Sequence, residues 1–204
     1  MTDFDARAKD WDSDPTKVER ALAIAAAIES NVPLQPTMSV LEYGCGTGLL
    51  GFALRKHVGN LTLADVSDGM LDVVREKLAA APDARVHPRK LDLLADPMPE
   101  RRYDLVCSMM TLHHIADTDA ILRKFHALLE RSGFLCIADL DIEDGSFHGA
   151  GFDGHNGFDR ADLAAKALRA GFRSTRFVTA HEMKKPVDGV TRTYPIFLMV
   201  AQTA

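Results

Sequence analysis

The sequence predicts an α/β protein with a Rossmann-like, doubly wound sheet of seven strands. The sheet is expected to be mostly parallel, with an antiparallel C-terminal hairpin and an N-terminal helical arm. Short apolar runs alternate with segments of helical periodicity, which is typical of strand-helix-strand units. Four of the first five apolar runs lack polar alternation, as strands covered on both faces do. The last two runs are joined by too few residues for a crossover helix, so we expect them to pair antiparallel.

The first element is a helix, followed by strands and helices in alternation. Asp14 and Pro15 are a typical N-cap and first helical residue, and Asn31 and Pro33 end the apolar periodicity. The pattern then predicts strands at Ser39–Tyr43, Leu61–Asp65, Arg85–Lys90, Leu105–Met109 and Phe134–Leu140, with helices at Leu49–His57, Gly69–Ala80 and Thr118–Glu130.

The pattern changes after the fifth strand. Residues 141–158 are rich in Gly, Asp and His without periodicity, and we expect an active-site loop there. Asp159 caps a last helix, which Gly171 ends. The two strands of the hairpin are predicted at Phe172–Ala180 and Tyr194–Ala201.

Length, composition and charge limit the classes of partner and the location that we expect for the protein. The 204 residues, 47% of them hydrophobic, fit one domain over residues 1–204, with 1–37 as the N-terminal arm and helix. A net charge of −5 disfavours nucleic acid as a partner. No apolar run approaches the roughly 20 residues of a membrane span, and the first residues are too polar for a signal peptide. Cys45, Cys107 and Cys136 lie in apolar runs without metal-ligand spacing, so we expect reduced thiols and a cytoplasmic protein.

A turn with three alternating glycines follows the first predicted strand. Gly44, Gly46 and Gly48 lead from a strand into a helix, where glycines permit positive φ and close approach of a ligand to the backbone. The turn therefore predicts a nucleotide-type binding site. Gly46, Gly48 and Gly51 also match the dinucleotide fingerprint, so a nicotinamide-dependent oxidoreductase is an alternative.

Several motifs in order resemble those of class I S-adenosylmethionine-dependent methyltransferases. Glu42 precedes Gly44 by two positions, and the resulting E-x-G-x-G-x-G resembles the first motif of this family. Asp65 ends the next strand, 17 residues after Gly48. The resemblance covers nearly the whole chain and continues through Leu91-Asp92-Leu93, Tyr103–Met109, Leu112-His113-His114-Ile115, Ser132–Leu135 and Ala170-Gly171-Phe172. The segment Leu112-His113-His114-Ile115, followed by Asp117, is similar to that of small-molecule members, including those of quinone biosynthesis.

The resemblance implies methyl transfer from S-adenosylmethionine to a small-molecule acceptor, with S-adenosylhomocysteine as the product. Asp65 would hold the ribose hydroxyls, Asp92 and Leu93 would read the adenine, and Ser108 and Met109 would face the sulfonium. The implied cofactor-binding residues are Trp11, Glu42, Gly44, Cys45, Gly46, Gly48, Asp65, Val66, Met70, Asp92, Leu93, Ser108 and Met109. Two of these assignments have an open alternative. Met70 could pack in the core instead of covering the adenine, and Trp11 could anchor the N-terminal arm instead of covering the cofactor.

Histidines near the carboxyl ends of the fourth and fifth strands are candidate proton acceptors. We expect His114 or His148 to contact the acceptor, although either could be an ordinary loop residue. Arg192 or Tyr194 could reach the acceptor, or belong to a structural turn. The polar residues Asp139, Asp141, Glu143, Asp144, His148 and His155 match no metal-ligand spacing, so we expect no metal. A non-catalytic cofactor-binding protein is a further alternative, and the sequence specifies neither the acceptor nor the oligomeric state.

Overall fold

The computed structural model describes residues 3–204 and contains one seven-stranded sheet. The strands are β1 (Ser39–Tyr43), β2 (Asn60–Asp65), β3 (Val86–Lys90), β4 (Tyr103–Met109), β5 (Leu129–Leu140), β6 (Ser174–Val187) and β7 (Val190–Gln202). The helices are α1 (Asp3–Arg7), α2 (Pro15–Asn31), α3 (Leu49–Leu54), α4 (Asp68–Ala80), α5 (Thr118–Leu128) and α6 (Arg160–Arg169), with 3-10 turns at Trp11–Ser13, Arg55–His57 and Leu112–His114.

The strand order is β3-β2-β1-β4-β5-β7-β6. The first five strands pair in parallel, whereas β7 pairs antiparallel with both β5 and β6. Helices α2, α3 and α4 contribute to the apolar core on one face, and α5 and α6 contribute to the core on the other. This arrangement confirms the predicted fold class, and it places the carboxyl ends of the parallel strands on one edge.

Helix α2 forms as its sequence predicts. The side chain of Asp14 accepts a hydrogen bond from the Thr16 N–H at 3.0 Å, and Pro15 occupies the first turn. Ile24 and Ile28, one turn apart, are fully buried against the sheet. The helix therefore brings the segment before it, residues 3–13, to the carboxyl edge of the sheet.

The predicted hairpin is correct in direction but too short. The expected connection between Ala180 and Tyr194 is instead a continuous ladder, and the chain reverses at Asp188 and Gly189. Both turn residues have positive φ, 50° and 77°, which is what a two-residue hairpin turn of right-handed twist requires. The Asp-Gly pair was therefore the local signal for this turn, and the polar residues before it belong to an edge strand.

The boundary between α5 and β5 also differs from the prediction. The helix ends at Leu128, and β5 begins at Leu129 rather than at Phe134. Ser132 adopts a left-handed φ of 59°, and the register with β4 shifts between Tyr103 and Leu105. The strand thus begins with an irregular segment, which hydrophobic periodicity alone does not distinguish from the end of a helix.

The segment from Asp141 to Phe158 is irregular, as predicted, but its ends are held together. The N–H of Ile142 donates to the carbonyl of Phe158, and the N–H of Phe158 donates to the carbonyl of Leu140. Gly157 runs left-handed at this closure, with φ of 73°. The loop therefore leaves β5 and returns to its end. No helix among residues 3–204 is long and apolar enough to cross a bilayer.

The carboxyl group of Glu42 lies under the glycine turn. It is 1% exposed, and its Oε2 accepts a hydrogen bond from the Gly51 N–H at 2.8 Å. Burial raises its pKa to about 8, because the single backbone hydrogen bond offsets only part of the desolvation. The side chain of Glu42 therefore links β1 to the first turn of α3 on the buried side of the glycine turn.

We expect Gly157→Ala to destabilise the protein more than Gly149→Ala. Both glycines have left-handed φ, so both substitutions incur a strain of about 1–2 kcal/mol. A Cβ at Gly157 would also overlap the carbonyl oxygen of Asp141, whereas a Cβ at Gly149 would meet no atom within 4 Å. Urea unfolding of the two variants measures the difference. Equal losses would contradict the closure described for this loop.

We expect Glu42→Gln to reduce the dependence of stability on pH. The pKa of Glu42 is about 8 in the folded chain against an ordinary 4.5, so between these values the folded state binds more protons than the unfolded state. The free energy of unfolding of the wild type then falls as pH rises through this window, by at most about 1.4 kcal/mol per unit. Glutamine keeps the acceptor oxygen but does not titrate. Urea unfolding of both proteins at several pH values across the window tests this, and parallel profiles would contradict it.

Candidate functional site

A cavity of about 710 Å³ opens at the carboxyl edge of the parallel strands. Its floor is the glycine turn after β1 together with the end of β4 at Met109. Phe4 and Trp11 of the N-terminal segment cover one side, and Phe147 and His148 of the 141–158 loop cover another. The cavity therefore lies where an open parallel sheet typically binds its ligand.

The glycine turn needs its glycines for two separate reasons. Gly44, Gly46 and Gly48 have φ of 69°, 54° and 82°, a region that side chains with a Cβ rarely adopt. A Cβ at Gly44 would also overlap the side chain of Thr111, which follows β4. Gly44 and Gly46 line the cavity together with Cys45, whereas Gly48 caps α3. The backbone of this turn is thus exposed to whatever occupies the cavity.

Asp65, at the end of β2, faces both the turn and the cavity. Its Oδ2 accepts from the Gly46 N–H at 2.7 Å, and its Oδ1 accepts from the Ser67 N–H at 2.9 Å. Burial raises its pKa above the ordinary value, although these backbone hydrogen bonds act in the opposite direction. Each carboxylate oxygen can accept more than one hydrogen bond, so Asp65 retains capacity for a ligand hydroxyl.

The far end of the cavity is formed by residues after β2 and β3. Val66, Met70 and Asp92 lie on its wall, and Met70 is also 2% exposed, so it contacts both the cavity and the core. Leu93 is buried away from the cavity, and its N–H donates to the hydroxyl of Tyr43 at 3.2 Å. In this conformation the Leu93 N–H is therefore engaged within the protein.

Ser108 and Met109 have different surroundings although they are adjacent. The hydroxyl of Ser108 is buried and donates to the carbonyl of Tyr43 at 2.8 Å, which ties β4 to β1. Met109 lines the cavity, and Met110 after it has a left-handed φ of 53°. Such backbone strain in a residue other than glycine is often found at binding sites. The side chain of Thr111 then donates to the carbonyl of Gly44 at 3.2 Å.

The N-terminal segment is attached to the glycine turn and to α4. The hydroxyl of Thr47 donates to Asp12 at 2.5 Å, and Lys77 forms a salt bridge with the same carboxylate at 2.6 Å. Asp5 accepts hydrogen bonds from the hydroxyl of Ser67 and from the Gly69 N–H. These contacts hold Trp11 over the cavity, where the ammonium of Lys17 lies 3.9 Å from the centre of its ring.

Three histidine rings meet on the acceptor side of the cavity, which we define as the wall formed by His113, His114 and His148. One ring nitrogen from each lies within 4.8 Å of the others. His113 is buried, and its Nδ1 lies 2.7 Å from Oδ1 of Asp139, at the end of β5. His148 stacks on Phe152, with ring centroids 3.8 Å apart. Among the residues that the structure describes, these three imidazoles are close enough together to hold a metal ion, and they can also contact a ligand in the cavity.

Desolvation sets the protonation state of two of these rings. Neighbouring groups remove part of the water around the ring of His114, although its side chain stays exposed at the surface, and around His148 in the loop; this lowers the pKa of each to about 4, and His113 adds to both shifts. Both rings are therefore uncharged at neutral pH. The Nδ1 of His148 is buried and, among residues 3–204, has no hydrogen-bond partner.

Arg20 supplies a buried positive charge to the cavity wall. It is 7% exposed, and its Nη1 hydrogen bonds only to the Sδ of Met183 at 3.3 Å within the described part of the chain. Burial lowers its pKa, although Asp14 and Asp139 partly compensate. Lys185 lines the same wall and donates to the carbonyl of Phe147. A carboxylate or phosphate brought into the cavity would find a guanidinium without a salt-bridge partner.

The remaining polar residues singled out in the sequence have structural contacts. Arg192 forms a salt bridge with Asp144, and the hydroxyls of Tyr194 and Ser146 lie 2.7 Å apart. Neither Arg192 nor Tyr194 is on the wall of the main cavity, so both belong to the attachment of the loop to β7. The other loop residues are also engaged: Asp141 with Arg160, Glu143 with the Phe147 N–H, and His155 with the carbonyl of Ile115.

Sequence reasoning missed two parts of the site. Arg20 stands four residues before Ile24 and eight before Ile28, so it is a charged residue on the buried face of α2, and that pattern could have identified it. Met183 and Lys185 were assigned to the connection of the hairpin, and nothing in their local sequence places them on the cavity.

Comparison with known proteins gives consistent results. Residues 40–133 match the family model described as a methyltransferase domain. An uncharacterised methyltransferase of Mycobacterium tuberculosis is 30% identical over 126 residues, which cover 60% of this chain and 62% of that protein. The ubiquinone biosynthesis O-methyltransferase of Coxiella burnetii is 26% identical over 144 residues, 69% of this chain and 61% of that protein. The match thus spans less than two thirds of either relative.

A solved structure shows the same fold. Phosphoethanolamine N-methyltransferase 2 of Haemonchus contortus, in complex with phosphomonomethylethanolamine and S-adenosylhomocysteine, has a TM-score of 0.73 and 17% sequence identity. The similarity covers 88% of this chain and 52% of that one. The order of the motifs in the sequence, the match of residues 40–133 to a methyltransferase domain and the fold shared with this enzyme agree with one another.

Proposed function

We propose that the protein transfers a methyl group from S-adenosylmethionine to a small-molecule acceptor. One observation carries the proposal: a single cavity of about 710 Å³ joins the glycine turn and Asp65 to the histidines of the acceptor side. When bound, the cofactor would supply a methyl group on a sulfonium, and a nucleophile in line with the carbon–sulfur bond would take this methyl group as S-adenosylhomocysteine leaves. A volume of this size lies within the range of small-molecule pockets.

The described residues fit the cofactor. The left-handed turn exposes backbone at Gly44 and Gly46, and a Cβ at Gly46 would find only the Sδ of Met70 nearby, at 3.8 Å. Asp65 has lone pairs for the ribose hydroxyls, and Asp92 is on the wall where the adenine amino group is expected. Val66, Met70 and Trp11 provide apolar contact for the base and a cover. The bound S-adenosylhomocysteine in the Haemonchus enzyme supports the same type of cofactor.

The chain's own residues would orient the acceptor and accept its proton. His114 and His148 line the cavity as uncharged imidazoles, which can accept a proton or a hydrogen bond. Phe4 and Phe147 limit access of water from two sides. Holding the acceptor in line with the methyl group replaces a bimolecular encounter by an oriented one, which supplies a large part of the acceleration in such reactions.

Two observations favour a small acceptor over the other partners. The acceptor side is enclosed by the loop and by the N-terminal segment rather than being an open surface, and the acidic net charge of −5 disfavours nucleic acid. The name of the Coxiella relative assigns it to ubiquinone biosynthesis, and the Haemonchus structure contains phosphomonomethylethanolamine, a small molecule. The antiparallel β7 between β5 and β6 disfavours the dinucleotide oxidoreductase. A cytoplasmic location, expected from the free and buried cysteines, stays a prediction.

We expect Asp65→Ala to weaken S-adenosylhomocysteine binding by about 1.5–3 kcal/mol, because hydrogen bonds to a charged carboxylate would be lost. Calorimetric titration of wild type and variant with S-adenosylhomocysteine, and with NAD and NADP, measures this. Asp72→Ala is the matched control, because its carboxylate is exposed on α4 and pairs with Arg75. Binding of NAD in place of the sulfur nucleotide would contradict the proposal, and an unchanged affinity in Asp65→Ala would contradict the role of Asp65.

We expect His148→Ala to lower turnover by about 10²–10⁴-fold if the ring accepts the proton of the acceptor. Its affinity for S-adenosylhomocysteine should stay the same. A screen of phenols, thiols, amines and carboxylic acids, with formation of S-adenosylhomocysteine as the readout, identifies the acceptor. The same readout then measures the rate of each variant. His181→Ala on β6, away from the cavity, is the control. Wild-type kinetics in His148→Ala would remove this residue from the reaction.

A further inference from the structure

The acceptor side combines three features that a methyl-transfer reaction does not by itself require. The first is the convergence of three imidazoles, with one nitrogen of each within 4.8 Å of the others. The rings come from two separate segments: His113 and His114 from the turn after β4, and His148 from the loop after β5. Their centroids are 4.1, 4.9 and 6.0 Å apart, so they surround a common point rather than forming a stack.

The second feature is the hydrogen bonding of His113. Asp139 Oδ1 lies 2.7 Å from His113 Nδ1, and Oδ2 accepts from the His113 N–H at 3.2 Å. This contact fixes the ring and leaves Nε2 as the free nitrogen. A carboxylate that holds the second nitrogen of a histidine is the usual outer support of a metal ligand.

The third feature is a buried ring nitrogen without a partner. Asp139 is fully buried, but its carboxylate accepts hydrogen bonds from the Leu140 N–H as well as from His113. The Nδ1 of His148, in contrast, is buried without a hydrogen-bond partner among residues 3–204. Buried ring nitrogens normally have partners, and a cation bound to the three rings would neutralise part of the polarity at this wall.

We propose that His113, His114 and His148 bind a divalent transition-metal ion of the zinc type, with a coordination position left open to the cavity. Three imidazole nitrogens favour zinc, cobalt, nickel or copper over magnesium or calcium, which prefer oxygen ligands. Three protein ligands and one open position are typical of a catalytic rather than a structural site. This proposal departs from the expectation, drawn from spacing alone, that the chain has no metal site.

The required rearrangement is small. Metal-nitrogen bonds of about 2.0–2.1 Å in tetrahedral geometry place the ligand nitrogens about 3.3 Å apart. The rings must therefore close from at most 4.8 Å. His114 is exposed, and His148 lies in the irregular loop, so rotations of these two side chains can bring their nitrogens toward the fixed ring of His113.

The ion would give the acceptor side a specific chemistry. An oxygen, nitrogen or sulfur atom of the acceptor bound at the open position would lose its proton more readily, because a bound cation lowers the pKa of its ligands. The rings would then act through the ion, and the acceptor's proton would pass to water at the mouth of the cavity instead of to an imidazole. This use of the ion rests on the proposed function, whereas binding of the ion does not.

Cobalt titration of metal-stripped protein without a histidine tag tests the proposal. We expect one Co²⁺ per chain, with the visible absorption of a tetrahedral nitrogen site, displacement by Zn²⁺ and no displacement by Mg²⁺. Asp139→Asn should weaken Co²⁺ binding by about 10–100-fold, and His114→Ala and His148→Ala should weaken it at least as much. His87→Ala, an exposed histidine on β3, should bind like the wild type.

Thermal unfolding and S-adenosylhomocysteine titration of each variant accompany the measurement. His114 is exposed, so His114→Ala should keep the wild-type midpoint and remain informative even if Asp139→Asn unfolds. No Co²⁺ absorption, or equal Co²⁺ affinity in wild type, His114→Ala and His148→Ala, would overturn the metal site. A protein that binds Co²⁺ but not S-adenosylhomocysteine would instead contradict the proposed function and leave the metal site intact.

Discussion

The left-handed turn after β1 is the constraint on which the cavity depends. Three alternate residues of this turn have positive φ, so the backbone can reverse sharply and present its edge to the ligand. Three side chains hydrogen bond to the turn or to the helix after it: Glu42 of β1 to the Gly51 N–H, Asp65 of β2 to the Gly46 N–H, and Thr111 after β4 to the Gly44 carbonyl. A bulkier residue at Gly44 would displace Thr111 and with it the segment that carries the histidines. The floor of the cavity and the wall that carries the histidines are therefore built on the same few residues.

The covers of the cavity are attached to this frame by polar contacts and, in the loop, by Phe147, which packs into the apolar core. The N-terminal segment is held through Asp12 to Thr47 and Lys77, and through Asp5 to Ser67. The 141–158 loop is held at its ends by backbone hydrogen bonds. Partly exposed polar contacts of this kind contribute little each, so local opening costs less free energy than unfolding of the sheet. Such an arrangement suits a site that must admit and release two molecules.

The fold was readable from the sequence because parallel strands buried on both faces are continuous apolar runs. Both large errors concern elements without that signal. The hairpin was shortened because its polar residues before Asp188 were assigned to a connection, and the start of β5 was missed because a left-handed Ser132 interrupts it. At the candidate site, motif order predicted Asp65 and the glycine turn, and these residues line the cavity. It could not find that Leu93 donates to Tyr43, because that contact joins residues fifty positions apart.

Three departures from ordinary packing lie around the cavity. Met110 has a strained backbone, Arg20 has a buried guanidinium without a salt bridge, and the Nδ1 of His148 has no hydrogen-bond partner within residues 3–204. Each raises the free energy of the folded state, and burial of the strands beneath offsets this cost. A bound anion beside Arg20 and a ligand or ion on the histidine rings would give these two polar groups partners, so the protein should be more stable when the cavity is filled.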